Sequence, residues 1–329
     1  MFDDWIGKKI GMPLTRENLE SWQLEHLKST VELAVSHSPW YKQHLQGADF
    51  DDFEEFSDLP FMLPEDVKEA GEEMVCVPAR DISRIVTLNT SGTTGRPKRV
   101  FFTEEDQELT VDFFHYGMMN MIDETDRLLI LMQGERPGSV GDLLKRGVER
   151  MGAEVLCLGE ITERLSFNTI FDTIYDRGIT SIVGIPEQMR ALMKYSTVMN
   201  IRTVLLSAEY VPQSLVADLH KAWHTEVFEH YGMTEMGLGC AMSCSTHRGY
   251  HVREADLYIE IIDPDNGYLQ EDGKWGEIVF TTLTRKGMPF IRYRTGDEGR
   301  WLTDECPCGS IIKRLDKVKN RKIYKAEDV

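Results

Sequence analysis

The stretch Thr90–Lys98, TSGTTGRPK, decides how the rest of the sequence is read. It follows an apolar run (Ile85, Val86, Leu88) and packs hydroxyl-bearing residues and glycines into one short loop. Gly92 and Gly95 permit positive φ and let the backbone approach an anion closely. Ser91, Thr93 and Thr94 add hydroxyl donors, and Lys98 adds a point charge for phosphate oxygens. The spacing is not G-x-x-x-x-G-K-[ST], because Pro97 stands where that motif's helix would begin. Composition alone leaves two readings open, a plain surface loop and a nest for polyphosphate.

Beyond the loop the pattern alternates. The hydrophobic periodicity predicts helices over 104–121, 140–151, 166–177, 186–195 and 213–223. Between them lie the short apolar runs DRLLILM, AEVLCLG, TSIVGI, RTVLLSA and EVFEHYG. Strands and helices in that order, with short connections, predict an α/β fold with a mainly parallel sheet. From Tyr250 the runs LYIEIID, GEIVFTTL and IRYRTG are separated by turn residues with no long helix between them, which predicts a β-rich subdomain. Upstream, apolar residues at helical spacing fill 15–45, interrupted at Ser38-Pro39. The expected boundaries are 1–249 for the α/β region with its N-terminal helices, 250–315 for the β-rich part, and 316–329 for a hinge.

The formal net charge of −18 over 329 residues argues against nucleic-acid and anionic-membrane partners, since phosphate backbones attract a surplus of Lys and Arg. The 41% hydrophobic fraction suits a globular protein. No apolar run reaches the ~18 residues of a membrane span, and the start shows no secretory pattern. A cytoplasmic location is the expectation. There the six cysteines are not expected to form disulfides. Cys244-Ser-Thr-His247 and Cys306-Pro-Cys308 make a C-x-x-H … C-x-C set suited to a closed, tetrahedral structural Zn²⁺. Cys240 and His251 stand near enough in sequence to replace a member of it.

The loop and the motifs after it, in order, resemble the adenylate-forming enzymes: acyl-CoA synthetases, luciferases and peptide-synthetase adenylation domains. YGMTE (Tyr231–Glu235), LLSAEYV, YRTGD (Tyr293–Asp297) and RLDK (Arg314–Lys317) all match. Within that superfamily SPWYKQHL, LPFMLPEDV, GEIVFTTLTRKGMPFIRYRTGD and CPCG resemble the phenylacetate–CoA ligase branch. The likeness runs from about Glu25 to about Lys317. It implies the large N-terminal domain of that fold, with the small C-terminal domain missing after the hinge.

The resemblance implies a site as well. Thr90, Ser91, Gly92, Thr93, Thr94, Gly95 and Lys98 would cradle the β- and γ-phosphates of ATP. Thr234 would hydrogen-bond the α-phosphate and Glu235 would hold Mg²⁺. Ser207, Ala208 and Glu209 would line adenine, with Tyr231, Gly232 and Met233 beside it, and Asp297 and Arg314 would reach the ribose. The implied reaction joins a small-molecule carboxylic acid to AMP and then to CoA, leaving AMP. The family also has a tendency to dimerise, so a homodimer is admitted. Two other readings stay open: transfer of AMP to give a stable adduct, and nucleotide binding without ligation. The stretch Gly134–Gly147, where this branch shapes its acid pocket, has no aromatic residue here. It offers an apolar ring few flat partners, so phenylacetate is not the expected acid. Arg136 there either meets a polar group of the substrate or faces solvent.

Overall fold

The computed structural model describes residues 2–88, 97–161, 165–195 and 199–321. They form two compact units.

One unit comprises residues 109–233 and 238–251. Its strands are β1 (Arg127–Ile130), β2 (Glu154–Cys157), β3 (Ser181–Gly184), β4 (Thr203–Leu206), β5 (Glu226–Tyr231), β6 (Ala241–Ser243) and β7 (Tyr250–Val252). They lie in the order β7-β6-β5-β4-β3-β1-β2. From β2 to β5 every neighbouring pair is parallel, and β6 returns antiparallel to β5. The sheet is therefore mixed. Val140–Glu149, Phe167–Arg177, Pro186–Tyr195 and Gln213–Trp223 are the helices between the parallel strands.

The local causes are legible. Strands β3 and β4 are buried at every position, as expected of parallel strands covered on both faces. Ser166 caps its helix by accepting from the Thr169 N–H, and Gly178 ends it in the left-handed conformation. The core fills with Leu129, Ile182, Val204 and Leu206 from the strands, Leu131 just after β1, and Ile170, Met189, Leu192, Leu219 and Trp223 from the helices. The chain runs β1 to β2 on one side and then crosses to β3 on the other side of β1. Such a reversal opens a crevice at the carboxyl ends of the strands.

The other unit comprises residues 2–108, 234–237 and 252 onward. Helices Phe2–Ile10, Arg16–His37, Pro39–His44 and Pro64–Ala70 belong to it. The break expected at Ser38-Pro39 is there. Ser38 ends the long helix and caps the next by accepting from the Tyr41 N–H, with Pro39 in its first turn. An antiparallel hairpin pairs Ile82–Leu88 with Lys98–Thr103. The strands β8 (Leu257–Ile262), β9 (Gly276–Thr282) and β10 (Tyr293–Gly299), with a short strand Lys319–Arg321, make a four-stranded antiparallel sheet. That is the β-rich part expected after Tyr250. Its grouping with the N-terminal helices is not visible in a linear reading.

Arg292, just before β10, is 1% exposed and has φ of 49°. Its guanidinium forks onto Glu260 of β8, with Nη2–Oε1 at 2.9 Å, and donates to the Leu59 carbonyl. Burial pushes the Glu260 carboxyl pKa up, and Arg292 opposes that shift. Arg292→Ala should therefore destabilise the protein by about 3–5 kcal/mol in urea unfolding, because it strands a carboxylate in the interior. The double variant with Glu260→Leu should recover part of the loss.

Candidate nucleotide site

In the second unit three motif residues converge. Lys98 opens the hairpin's second strand, Glu235 sits on the 3₁₀ turn Thr234–Met236, and Tyr293 opens β10. The Lys98 ammonium ion-pairs with Glu235 Oε1, and the two side chains are only 8% and 2% exposed. Lys98 Nζ also donates to the Tyr293 hydroxyl at 3.0 Å, and that hydroxyl donates to Glu235 Oε1 at 3.3 Å. Two buried guanidiniums hold the turn from behind. Arg285 Nη1 donates to the Glu235 carbonyl at 2.7 Å and its Nη2 to the Phe101 carbonyl at 3.1 Å, while Arg253 donates to the Met236 carbonyl.

Arg285 lies over the ring of Phe102, 4.2 Å from its centroid. Burial pushes its pKa down to about 10, with Asp106 pulling the other way. It stays cationic at neutral pH. Asp106 and Thr103 cap each other's backbone N–H groups at the head of helix Glu104–Met118, and the same carboxylate accepts from the Lys286 and Gly287 N–H groups. The two residues that follow Arg285 are thus tied to that helix cap.

Asp297 is half-buried on β10, and its N–H donates to Thr295 Oγ1 at 3.0 Å. Arg314 is buried and pairs with the Asp304 carboxylate at 3.2 Å. Thr90–Gly95 lie outside the described residues.

In the first unit the expected adenine residues fall at one edge. Ser207, Ala208 and Glu209 follow β4, and Tyr231 ends the neighbouring strand β5, with Gly232 and Met233 after it. Ser207 Oγ lies 2.8 Å from His230 Nδ1. Ala208 has φ of 67°, uncommon for a residue with a side chain. A Cβ on Gly232 would come within 2.6 Å of the Leu238 carbonyl oxygen, so only glycine fits there. Arg136 is exposed, on the stretch that follows β1.

The metal donors form two close pairs, one in each unit. Cys244 Sγ and a ring nitrogen of His251 lie within 4.8 Å of each other, and so do the sulfurs of Cys306 and Cys308. His251, and not the expected His247, is the imidazole beside Cys244. The backbone turns back at His247, with φ of 52°, and its ring packs edge-on against Phe228 at 4.8 Å. His251 comes from β7 and is buried.

Sequence reasoning gave no role to His230, Arg253, Arg285 or Tyr293. Tyr293 and Arg285 both stand inside quoted motifs, and that was the available signal. A parallel α/β sheet with polar side chains at its carboxyl edge, and a motif lysine paired with a motif glutamate, are features of an adenylate-forming enzyme. The profile of the AMP-binding enzymes matches residues 16–283. The chain belongs to that family.

It is 28% identical over 317 residues to phenylacetate-coenzyme A ligase of Escherichia coli, spanning 93% of this chain and 71% of the relative. The enzyme of the same name from Thermus thermophilus is 26% identical over 319 residues, 94% of this chain and 71% of the relative. A solved 2-hydroxyisobutyryl-CoA ligase, in complex with 2-HIB-AMP and CoA, shares the fold with a TM-score of 0.84 at 22% identity. That match covers 94% of this chain and 71% of the ligase. O-succinylbenzoate coenzyme A synthetase from Bacillus subtilis, solved with ATP and magnesium, matches at a TM-score of 0.53 and 22% identity over 71% of this chain and 49% of the synthetase.

Arg285→Met keeps much of the bulk and removes a donor from two buried carbonyls. It should cost on the order of 2 kcal/mol in chemical denaturation.

Proposed function

We propose that this chain activates a carboxylic acid with ATP and passes the acyl group to CoA. The observation that carries the reading is the buried Lys98–Glu235 pair, because a phosphate-seeking cation and a metal-seeking carboxylate stand together on motifs of this family. The family membership and the ligases it resembles support the same reading.

In the first step an acid oxygen attacks the α-phosphorus, the bond to the bridging oxygen breaks, and pyrophosphate leaves. Thr234 offers its hydroxyl to the α-phosphate. Lys98, with Thr90, Ser91, Gly92, Thr93, Thr94 and Gly95, holds the β- and γ-phosphates. Ser207, Ala208, Glu209 and the Tyr231-Gly232-Met233 turn receive adenine, and Asp297 accepts from the ribose hydroxyls near Arg314. Little covalent work falls to the protein, so positioning and charge complementarity dominate.

Glu235 is an oxygen donor of the kind Mg²⁺ prefers, and the metal, when bound, neutralises phosphate charge. In the second step the CoA thiolate attacks the acyl carbon and AMP leaves. The acid is polar or small in this reading, since the stretch after β1 lacks aromatic residues and exposes Arg136. Cys244 and His251 in one unit, and Cys306 and Cys308 in the other, each offer a pair of donors of the kind a structural Zn²⁺ takes.

ATP–pyrophosphate exchange with Mg²⁺ over a panel of aromatic, aliphatic and dicarboxylic acids tests the first step. Exchange should appear with a polar or short acid and fall about 10²-fold or more in Lys98→Ala and Glu235→Gln. A stable AMP adduct, or ATP binding with no exchange on any acid, would replace this reading with adenylyl transfer or simple binding. Metal analysis should find one zinc per chain. His251→Ala and Cys306→Ser should lose it, while His247→Ala should keep it; loss in His247→Ala alone would reverse the assignment.

A further inference from the structure

Tyr293 is fully buried, and nothing about its packing requires a hydroxyl. Its ring meets Phe280 edge-on at 5.4 Å and Phe290 edge-on at 5.2 Å, contacts that phenylalanine would make equally well. The hydroxyl nevertheless stands at the one point where Lys98 and Glu235 meet. It accepts from the ammonium and donates to the carboxylate. The ring also lies under the same ammonium, with Nζ 5.6 Å from its centroid.

We propose that Tyr293 is a positioning residue that holds the Glu235 carboxylate for Mg²⁺ when Lys98 turns to phosphate; this rests on the reading of Glu235 as the metal ligand. Lys98 and Glu235 neutralise each other in the structure described here. Nucleotide binding on that reading draws the ammonium toward phosphate oxygens and leaves the carboxylate without its cation. A carboxylate freed in a buried pocket gains rotamer freedom and loses a donor together. The phenol cannot follow the lysine, because two aromatic neighbours and the β10 backbone fix it. Its O–H therefore keeps one Glu235 oxygen in place and leaves the other lone pairs to the metal. Partners of this kind, which orient a ligand without touching the ion, alter metal affinity by about 10–100-fold when removed.

The test is Mg²⁺-dependent ATP binding to the chain by calorimetry, with the thermal melt recorded on the same samples. Tyr293→Phe should raise the Mg²⁺ concentration for half-maximal binding about tenfold. It should leave metal-free ATP binding within about twofold and the melt close to the parent. Phe280→Leu disturbs the same aromatic cluster without touching Glu235. It should lower the melting temperature and leave the Mg²⁺ requirement unchanged. Glu235→Gln separates the two ideas. If Glu235→Gln raises the Mg²⁺ requirement and Tyr293→Phe does not, the role of Tyr293 is overturned while the metal reading stands. If neither variant moves it, Glu235 is not the metal ligand and the inference goes with it. A Tyr293→Phe protein that only melts earlier, as Phe280→Leu does, would make the phenol a packing residue.

Discussion

The buried pair between Lys98 and Glu235 is the constraint on which the candidate site depends. Each member would be costly to bury alone, because an isolated charge in the interior loses its hydration without compensation. Together, and with the Tyr293 hydroxyl between them, they are satisfied. Lys98, Arg253 and Arg285 all bear on the turn Thr234–Met236. Two of those cations are spent on backbone carbonyls and are not offered to a ligand. Their work is to fix the turn, and through it the direction of the Thr234 and Glu235 side chains.

The carboxyl edge of the parallel sheet follows a different logic. There backbone shape, more than charge, marks the residues at the strand ends. Ala208 sits at a left-handed φ directly after β4, and the Gly232 position is too crowded for any side chain. Strained or crowded backbone at the ends of two adjacent parallel strands is expected where main chain, not side chain, must approach a flat ring closely. The Ser207–His230 contact joins those two strand ends and keeps them in step.

Local grammar made much of this legible. Helices Pro186–Tyr195 and Gln213–Trp223 begin and end at the residues expected, because proline marks each start and apolar spacing carries each body. Helix 140–151 ends two residues early at Glu149, and 104–121 ends at Met118, where a short turn intervenes. The first helix, Phe2–Ile10, lies outside the expectation although Phe2, Trp5, Ile6 and Ile10 are buried at helical spacing, because it is short and four of its nine residues are charged. The histidine beside Cys244 shows how spacing misleads. C-x-x-H puts His247 at a plausible distance along the chain, but a positive-φ turn sends its ring to Phe228 and strand β7 brings His251 to Cys244. Lys98 and Glu235 were each assigned a ligand, but not each other, because 137 residues separate them and no local pattern records such a contact.

The division of the chain has a consequence in time. The sheet unit draws on one nearly continuous run, 109–251, interrupted only by the turn at 234–237. Its neighbours in the sheet are mostly neighbours in sequence, so it can collapse as soon as that run exists. The other unit joins residues 2–108 to residues beyond 252, as in the bond from the Tyr41 hydroxyl to the Pro289 carbonyl, 248 positions apart. The helices at the front of this unit emerge before the strands they pack against and must wait for them. Closing so long a loop slows the search for native pairing and leaves apolar surface uncovered meanwhile. Lys98 and Tyr293 both lie in this late-closing unit, so the contact they share with Glu235 exists only once that long loop has closed.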